Sequence, residues 1–329
     1  MNWRRIAVVV VLILAAVAAW LLWLRPQRDL ALIEQHQAAP AVSRPGMLTA
    51  RWYGTTALLL SDGEQSLLID PFFSRPPGVL PLARNALIEP DEPLIREWLA
   101  RAGVTHLDAV LVSHSHFDHS MDAGVVARET GALLIGSEST ANVGRGAGLD
   151  EAQIRVIQPQ QPITVGRYTL RFFDSRHAGA TGGRPTGDIT APLVPPAHYL
   201  DYRLGGAYSI LIDHPSGRVL HHGSAGYVEG ALRGQQADIV FLGAALIGDL
   251  PKYLHETVDA VGAKQVVLTH WDDFTRGLDQ PLRPMPLVVN LAPVFDYVKR
   301  ARRDLNVVMP VLGQPIGIRH SDERVSASR

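Results

Sequence analysis

An α/β domain behind one N-terminal transmembrane helix is the architecture this sequence predicts. Three observations carry that expectation: a nineteen-residue apolar run near the N-terminus, β-branched strand segments alternating with helical ones, and histidines at the strand ends. The chain has 329 residues, 47% of them hydrophobic, enough to bury a sizeable core. Its formal net charge of -1 and the absence of a basic run beyond the extreme N-terminus leave no electrostatic footprint for nucleic acid. Cysteine is absent, so disulfides, thiolate metal sites and cysteine nucleophiles are excluded.

The apolar run, Ile6 to Leu24, is close to the ~20 residues a helix needs to cross a bilayer. Trp20 and Trp23 fall where an interfacial belt forms and "RPQR" follows, so residues 1–28 read as an uncleaved, single-pass signal anchor, with a cleaved signal as the alternative. Arginines flank the run on both sides, and the α-amino group tips the orientation towards N-terminus-in, which puts the bulk of the chain in the periplasm or otherwise outside the cytoplasm. Residues 29–46, punctuated by proline, read as a linker, short helical or extended, that spaces the domain off the membrane, residues 47–319 as the globular domain and residues 320–329 as a disordered tail.

Within the domain, "LTARWYGTTALLLSDGEQSLLIDPF" reads as short strands joined by an Asp-Gly hairpin turn. Leu94, Ile95, Trp98 and Leu99 are at helical spacing, predicting a helix over residues 93–102. "LDAVLVS" is a buried strand, "MDAGVVARETG" a helix stopped by Gly131, and "ALLIGS" the next strand. Strands follow in "YTLRFFDSRH", "YSILIDH", "RVLHHGS", "DIVFLGAAL" and "QVVLTHW", with helices in "YLHETVDAVGA" and "APVFDYVKRARRDL". "NVGRGAG", residues 142–148, lacks the Lys-Ser/Thr of a phosphate-binding loop and reads as a flexible loop. Residues 180–206, rich in glycine and proline, read as a lid or pocket wall.

The chemistry concentrates in "LVSHSHFDHSMDAG". His114, His116, Asp118 and His119 follow directly on an apolar strand, so a rigid element aims several nitrogen and oxygen donors at one point, as a divalent-metal site requires. A lone histidine is usually structural, and His36, His106, His198, His214, His255 and His320 are read so. Arg145, Arg176 and Arg184 are read as solvated surface groups, though each could meet an anionic substrate.

The H-x-H-x-D-H run after an apolar strand resembles the signature of the metallo-β-lactamase-fold hydrolases, and "LLIDPF" resembles that family's early aspartate motif. The resemblance spans residues 47–317 and implies an αββα sandwich. It further implies that His177 of "DSRHAG" joins His114 and His116 on one metal, and that His270 of "VVLTHWDDF" joins Asp118 and His119 on a second. Asp70 would support these ligands, and Asp118 would also orient or deprotonate the attacking water. The chain is similar to the branch of ascorbate-phosphate lactonases and N-acyl-phosphatidylethanolamine phospholipase D-like proteins, which implies a zinc-dependent hydrolase acting on a lactone, ester or phosphodiester in a small-molecule or lipid substrate. At one place it departs from the pattern: Ser224 of "VLHHGSAGY" stands where the family has a bridging aspartate. A neutral hydroxyl brings no charge to screen two dications, so one tight and one weaker site are expected. His222 could substitute, but strand alternation aims only one of His221 and His222 inward and leaves the other as a surface residue. Two other readings stand beside this one, a non-catalytic metal- or ligand-binding domain of the same fold and a redox diiron protein; His116 argues against the latter.

Overall fold

Two seven-stranded sheets pack face to face, with helices on their outer faces, in the αββα sandwich that the motif order implies. The computed structural model describes residues 3–42, 44, 46–76 and 78–320. The tail expected over 320–329 lies, apart from His320, outside the described residues.

The first sheet has the spatial order Pro315–Gly317, Thr49–Trp52, Leu58–Ser61, Ser66–Ile69, Ala109–Leu111, Leu133–Gly136, Ile154–Val156. The second runs Ile163–Val165, Tyr168–Asp174, Tyr208–His214, Gly217–His222, Ile239–Gly243, Gln265–Thr269, Asn306–Val308. Both repeat one plan, antiparallel pairs that change to parallel pairs at a single strand: Ser66–Ile69 in the first sheet and Gly217–His222 in the second. No repeat is visible in the sequence, so the symmetry resides in topology alone. Asp70 and Ser224 follow those two switch strands, and the carboxyl ends of the parallel strands leave the crevice in which α/β folds hold ligands.

Alternation along the strands builds the core. Leu67 and Ile69 face the inter-sheet layer with Leu58, Leu60, Ala109 and Leu111, while Leu68, Leu59 and Val110 face the outer helices. The helix Glu92–Ala102 answers with Ile95, Trp98 and Leu99, begins under an Asp91 cap that accepts from the Leu94 amide, and stops at left-handed Gly103.

Three expectations need correction. The first is the linker over residues 29–46. Helix continues unbroken from Trp3 to Gln35, beyond the apolar run, and its last part is seated on the domain. Asp29 and Ile33 are buried, the Asp29 carboxylate accepts from the Leu291 amide, and the Arg25 Nε donates to the Val289 carbonyl at 3.0 Å. His36 stacks on Phe295, and Ala38 and Ala41 donate to Met309 and Pro315 carbonyls. A π-helical stretch, Trp20–Leu24, precedes Pro26, which has no amide to offer the Leu22 carbonyl and so perturbs the α ladder there. The second is the flexible loop over residues 142–148, most of which is the end of the helix Glu138–Gly146, capped by Ser137. Its glycines serve close approach rather than flexibility: a Cβ on Gly144 would sit 2.5 Å from Leu134 Cδ2, and one on Gly146 would collide with the Leu193 carbonyl. The third is the surface reading of one of His221 and His222, both of which are buried.

A chain starting at Arg25 keeps the Asp29 and Ile33 seat, and should therefore fold on its own and melt in one cooperative transition. A chain starting at Met47, stripped of the Asp29 and Ile33 seat, should melt roughly 5–10 °C lower. Equal melting temperatures by calorimetry would contradict the packing described.

Candidate metal centre

Three loops bring the donors to one cavity, and each starts at the carboxyl end of a strand. Ala109–Leu111 delivers Ser113 and His114; His116 then caps the short helix Phe117–Ser120, whose first turn turns Asp118 and His119 towards the same point. His177 follows the strand ending at Asp174, and its loop lies so close over residues 224–226 that a Cβ on Gly226 would collide with the His177 carbonyl. His270 follows Gln265–Thr269 in the left-handed region, at φ 54°, held by its amide donating to the Thr55 carbonyl at 2.6 Å.

The donors form two triplets, His114–His116–His177 and Asp118–His119–His270, each with its ligating atoms within 4.8 Å of one another. They adjoin: the His114 and His119 rings are 3.8 Å apart between centroids. Asp118 Oδ2 lies 3.4 Å from His270 Nε2 and 3.6 Å from His119 Nε2.

Hydrogen bonds behind the rings fix which nitrogen faces the cavity. His116 Nε2 meets the Pro185 carbonyl at 3.2 Å, an acceptor only, so Nε2 carries the proton and Nδ1 keeps its lone pair. Thr181 gives its hydroxyl proton to the Ala178 carbonyl and accepts from His177 Nδ1 at 2.8 Å, which frees His177 Nε2. His119 Nδ1 faces Asp70 Oδ2 at 2.9 Å and the Thr56 hydroxyl at 2.9 Å, which frees Nε2. The inward nitrogens of His114 and His119 are buried with no hydrogen-bond partner. Buried polar atoms ordinarily find a partner, so these orphans, in a set of nitrogen and oxygen donors without sulfur, fit a divalent cation.

Electrostatics agree. Burial, reinforced by the neighbouring histidines, pushes His177 down to about 3 and His114 and His116 below the usual histidine value, so their lone pairs are free at neutral pH. Burial alone would raise Asp118 and Asp70, but the histidines around each outweigh it and hold both carboxylates ionised. His119 moves the other way: burial lowers it, and the Asp118 and Asp70 charges together raise it.

Asp70 makes the supporting contacts expected of it and one more. At φ 46°, it accepts from the Ser113 amide and hydroxyl, from His119 and, at 3.0 Å, from His221 Nε2. His221 is therefore the inward-facing member of its pair. His222 is fully engaged elsewhere, with Ser209 on one nitrogen and the Gly226 carbonyl on the other at 2.7 Å each, so it cannot complete the cluster. Ser224 lies on the cavity wall with His177, but its hydroxyl is committed to the Ala178 amide at 3.0 Å. It holds the His177 loop in place.

The cavity beside the triplets measures about 330 Å³ and is walled mainly by apolar side chains, among them Leu82, Phe117, Leu246, Phe274 and Val288. The segment over residues 180–206 contributes Thr181, Arg184 and Tyr199, in keeping with the pocket wall expected of it. Arg145, by contrast, is tied up by Glu138 and Glu151 on the surface.

Sequence reasoning missed Thr56 and Thr181, left open which of His221 and His222 turns inward, and missed a knot beneath His270. There Asp272 accepts from the Thr55 amide at 2.6 Å and pairs with buried Arg75 at 2.6 Å. Gly54 makes room for that guanidinium, which a Cβ there would strike. The "HWDDF" aspartates were the available signal.

The profile of the Beta-lactamase superfamily domain matches residues 65–271. A UPF0173 metal-dependent hydrolase of Myxococcus xanthus is 29% identical over 194 residues, covering 58% of this chain and 57% of that protein. Another, of Pyrobaculum islandicum, is 30% identical over 142 residues, covering 43% of this chain and 55% of that protein. The chain thus spans a little over half the length of these relatives. Among solved structures, the metallo hydrolase Igni18 of Ignicoccus hospitalis superposes with a TM-score of 0.55 at 14% identity, covering 84% of this chain and 100% of that one. The isothiocyanate hydrolase from Delia radicum gut bacteria gives 0.53 at 18% identity, covering 83% and 100%. These two likenesses establish the fold.

Replacing Asp70 by Asn removes the charge facing two ring N–H groups, and should weaken metal affinity by roughly 10–100-fold, measured by chelator competition. Ser224→Asp keeps an acceptor for Ala178 and adds charge at the cavity wall, so it should raise the metal retained per chain through dialysis. Unchanged retention would contradict the expectation that the missing carboxylate weakens one of the two sites.

Proposed function

The chain belongs to the beta-lactamase superfamily, and from that premise we propose that it is a zinc-dependent hydrolase of a lactone, ester or phosphodiester. The observation that carries this reading is the set of directed lone pairs: rings held from behind by Pro185, Asp70 and Thr181 so that their free nitrogens meet in two adjoining triplets. A bound divalent cation supplies Lewis acidity and lowers the pKa of water at such a site.

The chain's own residues do the rest. Water adds to the carbonyl or phosphoryl centre, the proton it gives up is taken at the Asp118 carboxylate, ionised and 10% exposed at its side chain, and that proton passes to the leaving oxygen as its bond breaks, which restores the carboxylate. Phe117, Leu246 and Phe274 exclude bulk water from the reacting atoms, which strengthens the electrostatics inside. Arg184, the one arginine or lysine among the described residues lining the cavity, faces an anionic group on the substrate. The helix Trp3–Gln35, long and apolar enough to cross a membrane, anchors the domain to the outer face of a cytoplasmic membrane in this reading.

The full chain loaded with zinc should hydrolyse at least one of a panel of lactones, esters and phosphodiesters, lose that activity to a chelator and regain it with zinc. His116→Ala should lower activity by at least about 10²-fold and remove most metal from its triplet, because no neighbouring side chain replaces the donor. Full metal content in that variant, or activity indifferent to chelation, would refute the proposal.

A further inference from the structure

We propose that the mouth of the cavity docks on the bilayer and that the cavity takes the acyl chain of an amphiphile drawn from it; the chemistry performed there rests on the hydrolase reading above, the docking does not. The cavity joins two unlike surfaces. Its floor is the donor cluster, and its wall is apolar over Val79, Leu82, Phe117, Leu246, Met285 and Val288. A volume of about 330 Å³ lies in the range of pockets that enclose small ligands, roughly 300–1,000 Å³. Apolar side chains continue outward from that wall onto the surface. Val79 and Leu80 are 59% and 58% exposed on the short helix Val79–Ala83, Leu287 is 58% exposed beside Val288, and Leu200 is 46% exposed beside Tyr199. Exposed apolar groups gathered around a cavity mark a surface that meets something apolar.

What they meet follows from where the N-terminal helix is seated. The apolar run ends at Leu24, so Arg25 marks the water side of the interface. Its guanidinium donates to the Val289 carbonyl, one residue from Val288 on the cavity wall. Val288 and Val289 are themselves fixed to the strand end beyond Gly243, through the Leu246 amide to the Val288 carbonyl at 2.9 Å and the bridge between Ala245 and Val289. One arginine side chain therefore separates the end of the apolar run from the cavity wall. Burial of Asp29 and Ile33 makes this helix a strut, not a tether, so the cavity is held near the bilayer surface. An acyl chain leaving the leaflet would gain from every methylene buried against the wall, about 0.8 kcal/mol each by transfer, while its polar head stays by the donor cluster and Arg184.

The chain has no cysteine, so single-cysteine labels can be placed without background. The full chain is reconstituted in vesicles of phosphatidylethanolamine and phosphatidylglycerol doped with an acyl-chain doxyl phosphatidylcholine. It carries an environment-sensitive fluorophore at Leu80→Cys, Leu287→Cys, Met285→Cys or, as the remote reference, Glu64→Cys. Glu64 lies in the hairpin turn at the end of the first sheet opposite Asp70, its side chain 60% exposed. The labels at 80 and 287 are expected to be quenched by the doxyl lipid and to be several-fold less accessible to iodide than the label at 64. The label at 285, inside the cavity, is expected to be quenched by the doxyl acyl chain as well. Iodide access at 80 and 287 equal to that at 64 would overturn docking; quenching at 80 and 287 with none at 285 would overturn the acyl-chain pocket. None of these readouts needs turnover, so an inactive protein with the expected quenching pattern would refute the hydrolase reading alone.

Discussion

The buried carboxylate of Asp70 is the constraint on which the rest of the site depends. A charge with no exposure survives inside a protein only when hydrogen bonds replace its hydration. Asp70 has four, from the Ser113 amide, the Ser113 hydroxyl, His119 and His221. These donors come from both sheets: Ser113 and His119 follow a strand of the first, and His221 ends a strand of the second. One side chain thus sets the separation of the two layers and the orientation of a ring whose other nitrogen faces the donor cluster. Its left-handed φ of 46° has a cost of about 1–3 kcal/mol that only an over-determined setting sustains.

A second knot performs the same service on the far side. Thr55, His270 and Asp272 are linked by backbone and carboxylate bonds, and the Arg75–Asp272 pair, with both side chains fully buried, locks the loop after Asp70 to the loop after His270. Thr55, Asp70, Arg75 and His270 all have positive φ. These four positions surround the point where three loops bring unlike donors together, while the strands beneath them are regular. That is the expected division of labour between a rigid scaffold and the loops it carries.

How far the site was legible depended on how local its determinants are. His114, His116, Asp118 and His119 occupy six consecutive positions after one strand, so their convergence could be read from spacing. His177 and His270 reach the cavity only through the pairing of distant strands, and they were found by resemblance to a family. Which of His221 and His222 points inward stays open in the sequence, because alternation alone cannot decide it and the partner of His221, Asp70, is 151 residues away. Gly144 and Gly146 read as parts of a flexible loop because sequence does not separate glycine that allows close packing from glycine that allows motion. The segment after Arg25 was misread for a different reason: Asp29 and Ile33 have helical i,i+4 spacing, but a buried aspartate looks polar until its partner, the Leu291 amide, is known.

The N-terminal helix and the donor cluster turn out to share a wall, the segment over residues 285–289, which joins where the protein is held to what its cavity can admit. The claim underneath is that two triplets of donors hold metal. Anomalous diffraction at the zinc edge, from crystals of zinc-loaded protein, tests it most directly. The account requires peaks about 2.0–2.1 Å from histidine nitrogens, one bounded by His114, His116 and His177 and a second, of equal or lower occupancy, by Asp118, His119 and His270. An anomalous map with no peak in the cavity, or with metal held by any other residues, would contradict it.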